Sequence, residues 1–315
     1  MIISASRRTD IPNYYSDWFF NRLQEGFVYV RNPMNARQIS KISLSPDAVD
    51  CIVFWTKNPS AMLPHLNRLK DYNYYFQFTL TGYGKDVEPR LPDKKKTLIP
   101  VFRELSEKIG KERVIWRYDP ILCSKKYTPQ YHLRAFSEIA ECVCGYTEKV
   151  IVSFLDLYEK TKKNVSDLCL NAISEEEMRA LAADFAQIAK GHSLQIETCA
   201  EQIDLSEMGI AHGHCVDEKL IERIAGYPLK GGKDKNQREE CGCFESIDIG
   251  AYNTCLNGCK YCYANYSEER VQNSRKNFSA ASPLLCGEPF KEDVIKERKV
   301  QTLKETQISF FDRRR

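Results

Sequence analysis

Residues 255–262 read Cys-Leu-Asn-Gly-Cys-Lys-Tyr-Cys, a C-x3-C-x2-C spacing. Thiolate is a soft ligand suited to iron–sulfur clusters, and a turn this short converges its three sulfurs on one small cluster. A four-iron cluster held by Cys255, Cys259 and Cys262 alone keeps one iron open to an external ligand. Gly258 lets the backbone wrap closely around such a cluster. The rival reading is zinc, which prefers C-x2-C pairs and a fourth protein ligand.

Four further cysteines stand out: Cys199, Cys215, Cys241 and Cys243. Four thiolates fully ligate a second cluster, leaving it closed and suited to electron transfer or structure. A four-thiolate zinc site uses the same ligands, and independent buried thiols are the bland alternative. His212 and His214 lie just before Cys215 and are added ligand candidates, though turn histidines are more often merely solvated. Cys142 and Cys144 fall on a helical pattern, and Cys51, Cys123, Cys169 and Cys286 are isolated, so core or incidental roles are expected for all six. The cysteine total of 13 is odd and no secretion signal precedes it, so a disulfide framework is not expected.

Charged candidates sit after apolar runs. The guanidinium forks of Arg7 and Arg8 match a carboxylate or phosphate in two-bond geometry. Lys57 follows one run, and Trp116-Arg117-Tyr118-Asp119 brings Arg117 and Asp119 to the end of another. Lys233, Lys235 and Arg238 form a basic loop that reads as solvated charge. No G-x-G-x-x-G, P-loop or H-E-x-x-H motif is present.

The elements that must position these residues follow from periodicity. Runs rich in Val, Ile, Phe and Tyr predict strands at Ile2–Ser6, Phe27–Arg31, Cys51–Trp55, Tyr74–Thr81, Arg113–Tyr118, Val150–Leu155 and Leu194–Thr198. Helical patterns fill the intervals: Tyr14–Glu25, Pro59–Lys70, Lys94–Ile109, Pro129–Cys144, Ser174–Lys190 and Asp217–Ile224, with Ser174 and Glu177 spaced as a capping box. Strand–helix alternation predicts an α/β fold, a complete or partial parallel (β/α) barrel of the TIM type over residues 1–225. An open doubly wound sheet is the alternative. In a parallel barrel the loops after the strands open on one face, so Arg7, Arg8, Asn32, Pro33, Lys57, Gly82, Asp119, Asp156, Cys199 and Glu201 would share a ligand-binding mouth. Residues 226–266 form a cysteine-rich segment completing that mouth, with Ser246–Gly250 a short strand before the cysteine loop. Residues 267–315 read as a charged helical or loose tail.

Composition narrows the class. With 315 residues and 43% apolar content, the chain can bury a sizeable core. A formal net charge of +3 does not indicate a nucleic-acid partner. The first residues lack a signal peptide's apolar run and no stretch approaches a membrane span, so a cytoplasmic protein is expected.

The cysteine spacing resembles the radical S-adenosylmethionine (SAM) superfamily, whose motif carries an aromatic before the third cysteine, as Tyr261 does here. The resemblance implies SAM chelating the open iron through its amine and carboxylate, reductive cleavage to a 5′-deoxyadenosyl radical, a low-potential electron donor and an unknown substrate. Under it, Tyr261, Arg7, Arg8, Lys57 and Arg117 are the cofactor-site candidates. That superfamily usually places the motif near the amino end, whereas here it lies near the carboxyl end. The longer run CGCFESIDIGAYNTCLNGCKYCYAN, with ASRRTDIP, FWTKNP and WRYDPI, resembles the family called domain of unknown function 1848, and WRYDPI is also similar to radical SAM relatives grouped with spore photoproduct lyase. The alternatives are a non-catalytic two-cluster electron carrier and a zinc-stabilised nucleic-acid-binding protein.

Overall fold

A computed structural model of the protein describes residues 1–157, 159–299 and 301–305. Its strands are β1 (Ile2–Ala5), β2 (Phe27–Asn32), β3 (Asn35–Ser43), β4 (Cys51–Thr56), β5 (Tyr74–Thr79), β6 (Val114–Ile121), β7 (Lys149–Phe154), β8 (Gln195–Cys199), β9 (Ala211–Gly213), β10 (Ile247–Asp248) and β11 (Val294–Glu297). The helices are α1 (Ile11–Tyr14), α2 (Ser16–Glu25), α3 (Ile99–Ile109), α4 (Pro129–Val143), α5 (Glu159–Lys162), α6 (Glu175–Gly191), α7 (Glu218–Ala225) and α8 (Glu268–Lys276). The fold is α/β, built on an eight-stranded sheet of order β10-β1-β4-β5-β6-β7-β8-β9. Every pair in it is parallel. Residues 246–250, expected to hold a short strand, contain β10, which pairs with β1 through Ile3–Ile247 and Ser4–Asp248.

Side chains alternate between the two faces of a strand, and each face here has its own core. On the outer face, Ile3, Phe54, Phe76, Trp116, Tyr118 and Val152 pack against Phe19, Phe102, Phe136 and Phe185 of the helices. On the inner face, Ile2, Cys51, Val53, Tyr75, Ile115 and Ile151 pack against Val216, Leu220, Ile221, Leu229 and Phe244. Helix α7 therefore plugs the inner face. It is too short to be stable alone, and burying Leu220 and Ile221 supplies about 1.5–3 kcal/mol each. Lys149 Nζ holds its amino end, reaching Asp217 Oδ2 at 2.9 Å and Glu197 Oε1 at 2.8 Å. The edge strands β9 and β10 are not paired with each other among the described residues, but Phe244 N donates to Val216 O at 3.0 Å and links the segments beside them.

The structure departs from the sequence expectations at three places. The strand expected at Phe27–Arg31 leaves the main sheet and forms an antiparallel hairpin with β3, so Asn32 and Pro33 lie away from the mouth. The turn residues between β2 and β3 favour that local pairing. The helix expected over Pro59–Lys70 shortens to a 3₁₀ segment, Leu63–Leu69, because Pro64 lacks the N–H that continues a helix. The tail carries α8 and docks on the body. Trp18 Nε1 donates to Ser282 O at 2.9 Å, and β11 pairs with β3. The final arginine run lies outside the described residues. The capping box at Ser174 and Glu177 is formed as expected.

Candidate metal centre and ligand cavity

The carboxyl ends of the parallel strands open on a cavity of about 390 Å³, within the size range of small-molecule sites. Cys255, Cys259 and Cys262 line it, and so do Cys199, Cys215, Cys241 and Cys243. Arg7, Arg8, Lys57, Arg117 and Tyr261 line it too, so these twelve residues meet at one place, whereas Gly82, His212 and His214 lie outside its lining.

The cysteine loop is held from below by Asp10, which caps α1. This buried carboxylate accepts from Thr56 Oγ1 at 2.7 Å, Lys57 N at 2.9 Å and Asn257 Nδ2 at 2.9 Å. Asn257, inside the loop, also accepts from Tyr14 Oη at 2.9 Å. The amide of Lys260 donates to Val87 O at 3.0 Å, so the loop bridges the β1 and β5 ends of the sheet. Gly258 has φ +68°, a left-handed conformation that a side chain resists, and this turns the chain between Cys255 and Cys259. Burial raises all three thiols, Cys259 to about 12.

Behind Tyr261 lies a network that the sequence did not reveal. Glu88 Oε1 accepts from Lys57 Nζ at 2.7 Å and Tyr261 Oη at 2.5 Å. Its Oε2 accepts from Lys94 Nζ at 2.5 Å and Thr81 Oγ1 at 3.0 Å. Despite burial, the two ammonium groups hold the Glu88 carboxyl down at about 2. Burial and Glu88 act in opposite directions on the lysines: Lys57 is raised and Lys94 lowered. Lys94 sits in the run Lys94-Lys95-Lys96, where solvated charge is the ordinary reading.

The second thiol set gathers from the end of β8, the segment after β9 and the loop before β10. Cys199 Sγ lies 2.9 Å from Cys215 Sγ, and Cys243 neighbours both Cys215 and Cys241. Cys243, shared by two neighbouring thiols, is lowered, whereas Cys215 and Cys241 are raised. Arg117 Nη1 donates to Cys215 Sγ at 2.8 Å, and its other nitrogens hold Asp119 Oδ2 at 3.0 and 2.5 Å. The β6–β7 register shifts between Tyr118 and Ile121, where Pro120 has no N–H to pair, and this frees Asp119 to meet Arg117. Arg117 therefore serves the second thiol set. His212 approaches Thr198 Oγ1 at 3.2 Å and His214 packs over Gly242, both exposed.

Arg7 lies over the Trp55 ring at 5.0 Å, with its buried Nη2 lacking a hydrogen-bond partner. Arg8 stacks on Tyr252 at 5.0 Å and lies 3.9 Å from Asp248 Oδ1. Asp248 in turn orders the first strand end by accepting from Ser4 and Ser6 hydroxyls and Arg7 N at 2.8, 2.7 and 2.9 Å. Across the mouth, Phe154 N donates to Glu201 Oε1 at 2.7 Å, and burial pushes that carboxyl up to about 7. Glu88, Asp248 and Asn257 are the residues that sequence reasoning missed, whereas Asp10 stands in the polar run after β1 that was expected at the mouth.

Among the described residues, no group of three or more His, Cys, Asp or Glu is arranged to hold a single metal ion. No described helix is long and apolar enough to cross a membrane. No curated protein matches the chain. Among solved structures, "a putative alpha-L-fucosidase from Bacteroides thetaiotaomicron VPI-5482" is similar at 14% identity, over 86% of this chain and 92% of that one. Its TM-score of 0.28 carries no argument about this chain. The family model described as Domain of unknown function (DUF1848) matches residues 2–264, a span that takes in the whole eight-stranded sheet and the cysteine loop, and the chain belongs to that family.

Proposed function

We propose that the protein is a radical SAM-type enzyme with a four-iron cluster on Cys255, Cys259 and Cys262. The observation that carries this reading is a shared cavity: three thiols of one tight turn face the strand-end mouth together with a buried, unpartnered Arg7 nitrogen. The donor set fits the group, because three soft thiolates supply all but one iron's ligand. When bound, such a cluster with SAM on its open iron supplies one-electron cleavage of SAM to a 5′-deoxyadenosyl radical.

This chain's residues do the rest. Arg7 has a buried donor to spare, suited to a carboxylate; Lys57 and Tyr261 are already committed to Glu88. Asp10 and Asn257 fix the loop against the first strand end. The cavity is walled by Trp55, Phe154 and Leu155, which limit water around a reactive ligand. A low-potential one-electron donor is the required partner, and the chemistry is that of a protein working in a reducing compartment such as the cytoplasm.

The test is anaerobic reconstitution with iron and sulfide, then SAM and dithionite, with 5′-deoxyadenosine read by mass spectrometry. The wild-type chain forms it, and Cys255→Ala/Cys259→Ala/Cys262→Ala does not. Stoichiometric zinc without iron would overturn the reading in favour of a zinc-stabilised binding protein. Iron and sulfide without SAM cleavage would favour an electron carrier.

A further inference from the structure

The geometry points to a second metal centre: Cys199, Cys215, Cys241 and Cys243 ligate an iron–sulfur cluster of their own, deeper in the same cavity wall and closed to external ligands. Three separate chain segments bring these four thiols together, and all four line the cavity. Incidental core cysteines have no reason to meet in this way. Two of them already lie 2.9 Å apart.

Charge is the second, independent observation. Arg117 is only 5% exposed and presses a guanidinium nitrogen on Cys215 Sγ. Arg7 faces Cys243 and Cys215 and keeps a buried nitrogen without a partner. Asp119 offsets Arg117, while Asp248 accepts from the backbone amide of Arg7, from two serine hydroxyls and from Gly250 N, and is shared with Arg8. A buried cation without a counter-charge is costly. A four-thiolate centre carries net negative charge and supplies beside Arg7 the counter-charge that Asp119 gives Arg117.

The adjoining space favours a cluster over zinc. Zinc draws four sulfurs to about 2.3 Å around one point and needs no space beyond them. A cluster instead spreads its thiolates around a cage, and the four cysteines line a cavity of about 390 Å³ with space for one. With every iron bound by thiolate, the centre transfers electrons rather than binding substrate. Its role as a relay to the Cys255–Cys262 loop rests on the function proposed above, whereas its presence does not.

The full chain, reconstituted anaerobically with iron and sulfide, tests this by iron, sulfide and zinc analysis together with Mössbauer spectroscopy. The wild-type chain is expected to hold about eight iron and eight sulfide. Cys255→Ala/Cys259→Ala/Cys262→Ala is expected to keep about half, with far-UV circular dichroism unchanged. Replacing Cys199, Cys215, Cys241 and Cys243 by Ser is expected to leave the other half. A folded triple variant that holds no iron, or that holds zinc instead, overturns the proposal. If the serine variant does not fold, the wild-type spectrum decides: added SAM perturbs one cluster and leaves a second unchanged, and iron for a single cluster that the triple variant loses refutes the second. Failure of the first-loop reading looks different, with iron unaffected by the triple variant.

Discussion

Glu88→Gln keeps the shape of the side chain and removes one charge from a site only 1% exposed. Two ammonium groups would then share a neutral amide, with Lys57 and Lys94 side chains 13% and 18% exposed. The Glu88 carboxyl titrates at about 2 against an ordinary 4.5. A displacement of that size corresponds to about 3 kcal/mol favouring the ionised form. Breaking a buried pair by removing one partner costs a similar ~3–5 kcal/mol. We therefore expect Glu88→Gln to lose about 3 kcal/mol and to lower Tm by about 6 °C or more. The sign with pH follows. The folded value is depressed, so this stability is complete above pH 4.5 and is lost as pH falls toward 2. Urea unfolding of the metal-free protein by circular dichroism, at pH 7 and along that acid range, measures it. The variant should lose the part of the wild-type acid slope that Glu88 supplies. A loss below about 0.5 kcal/mol would match an exposed ion pair and refute the reasoning.

Three further perturbations read other parts of the structure. His132 is fully buried; its Nε2 donates to Leu122 O and its Nδ1 accepts from Tyr118 Oη, each at 2.9 Å, and burial depresses it to about 4. The folded state resists protonation, so about 3 kcal/mol should be present above pH 6.5 and lost as pH falls to about 4, and titrating His132 by NMR checks it. Asp10→Asn should cost about 1–3 kcal/mol, because four donors converge on that carboxylate and an amide adds another; chemical denaturation measures the loss, and wild-type stability would refute it. Gly258→Ala should cost about 1 kcal/mol through its φ of +68°, since a Cβ there meets nothing nearer than Pro89 Cγ at 3.4 Å; lower iron retention on gel filtration should accompany it.

Six strands of the main sheet, β1 and β4 to β8, were legible because each is a short run of β-formers, and β10 because Ile247 and Ile249 flank a lone aspartate ahead of the cysteines, whereas β9, the Ala-His-Gly at 211–213, carries no such signal. Helix α6 announced its start through Ser174 and Glu177, which interact only with each other's backbone and so need no knowledge of the fold. The partners of distant residues were not legible. Nothing local tells that Glu88 meets Lys57 and Tyr261, since 31 and 173 positions separate them. The same holds for the docking of 280–285 on Trp18, where residues of ordinary loop composition are buried by an indole far away in the chain. At the cavity, residue types were readable and their pairings were not: Arg117 could be placed at the mouth, but its commitment to Cys215 depends on how the segment after β9 crosses the inner face to Tyr75 and Gln77.

The pairing of β1 with β10 sets an order of events during synthesis. Ile3 waits for Ile247, 244 positions later, and at about 5–20 residues per second that is roughly 10–50 s. Until then one edge of β1 is an open template for a neighbouring nascent chain. The ribosome, moreover, releases Cys199 and Cys215 before Cys255, Cys259 and Cys262. Throughout that interval the early thiols stand without the late segment that shelters them, so oxidant present during translation reaches the cysteines before any assembly factor can find a finished site.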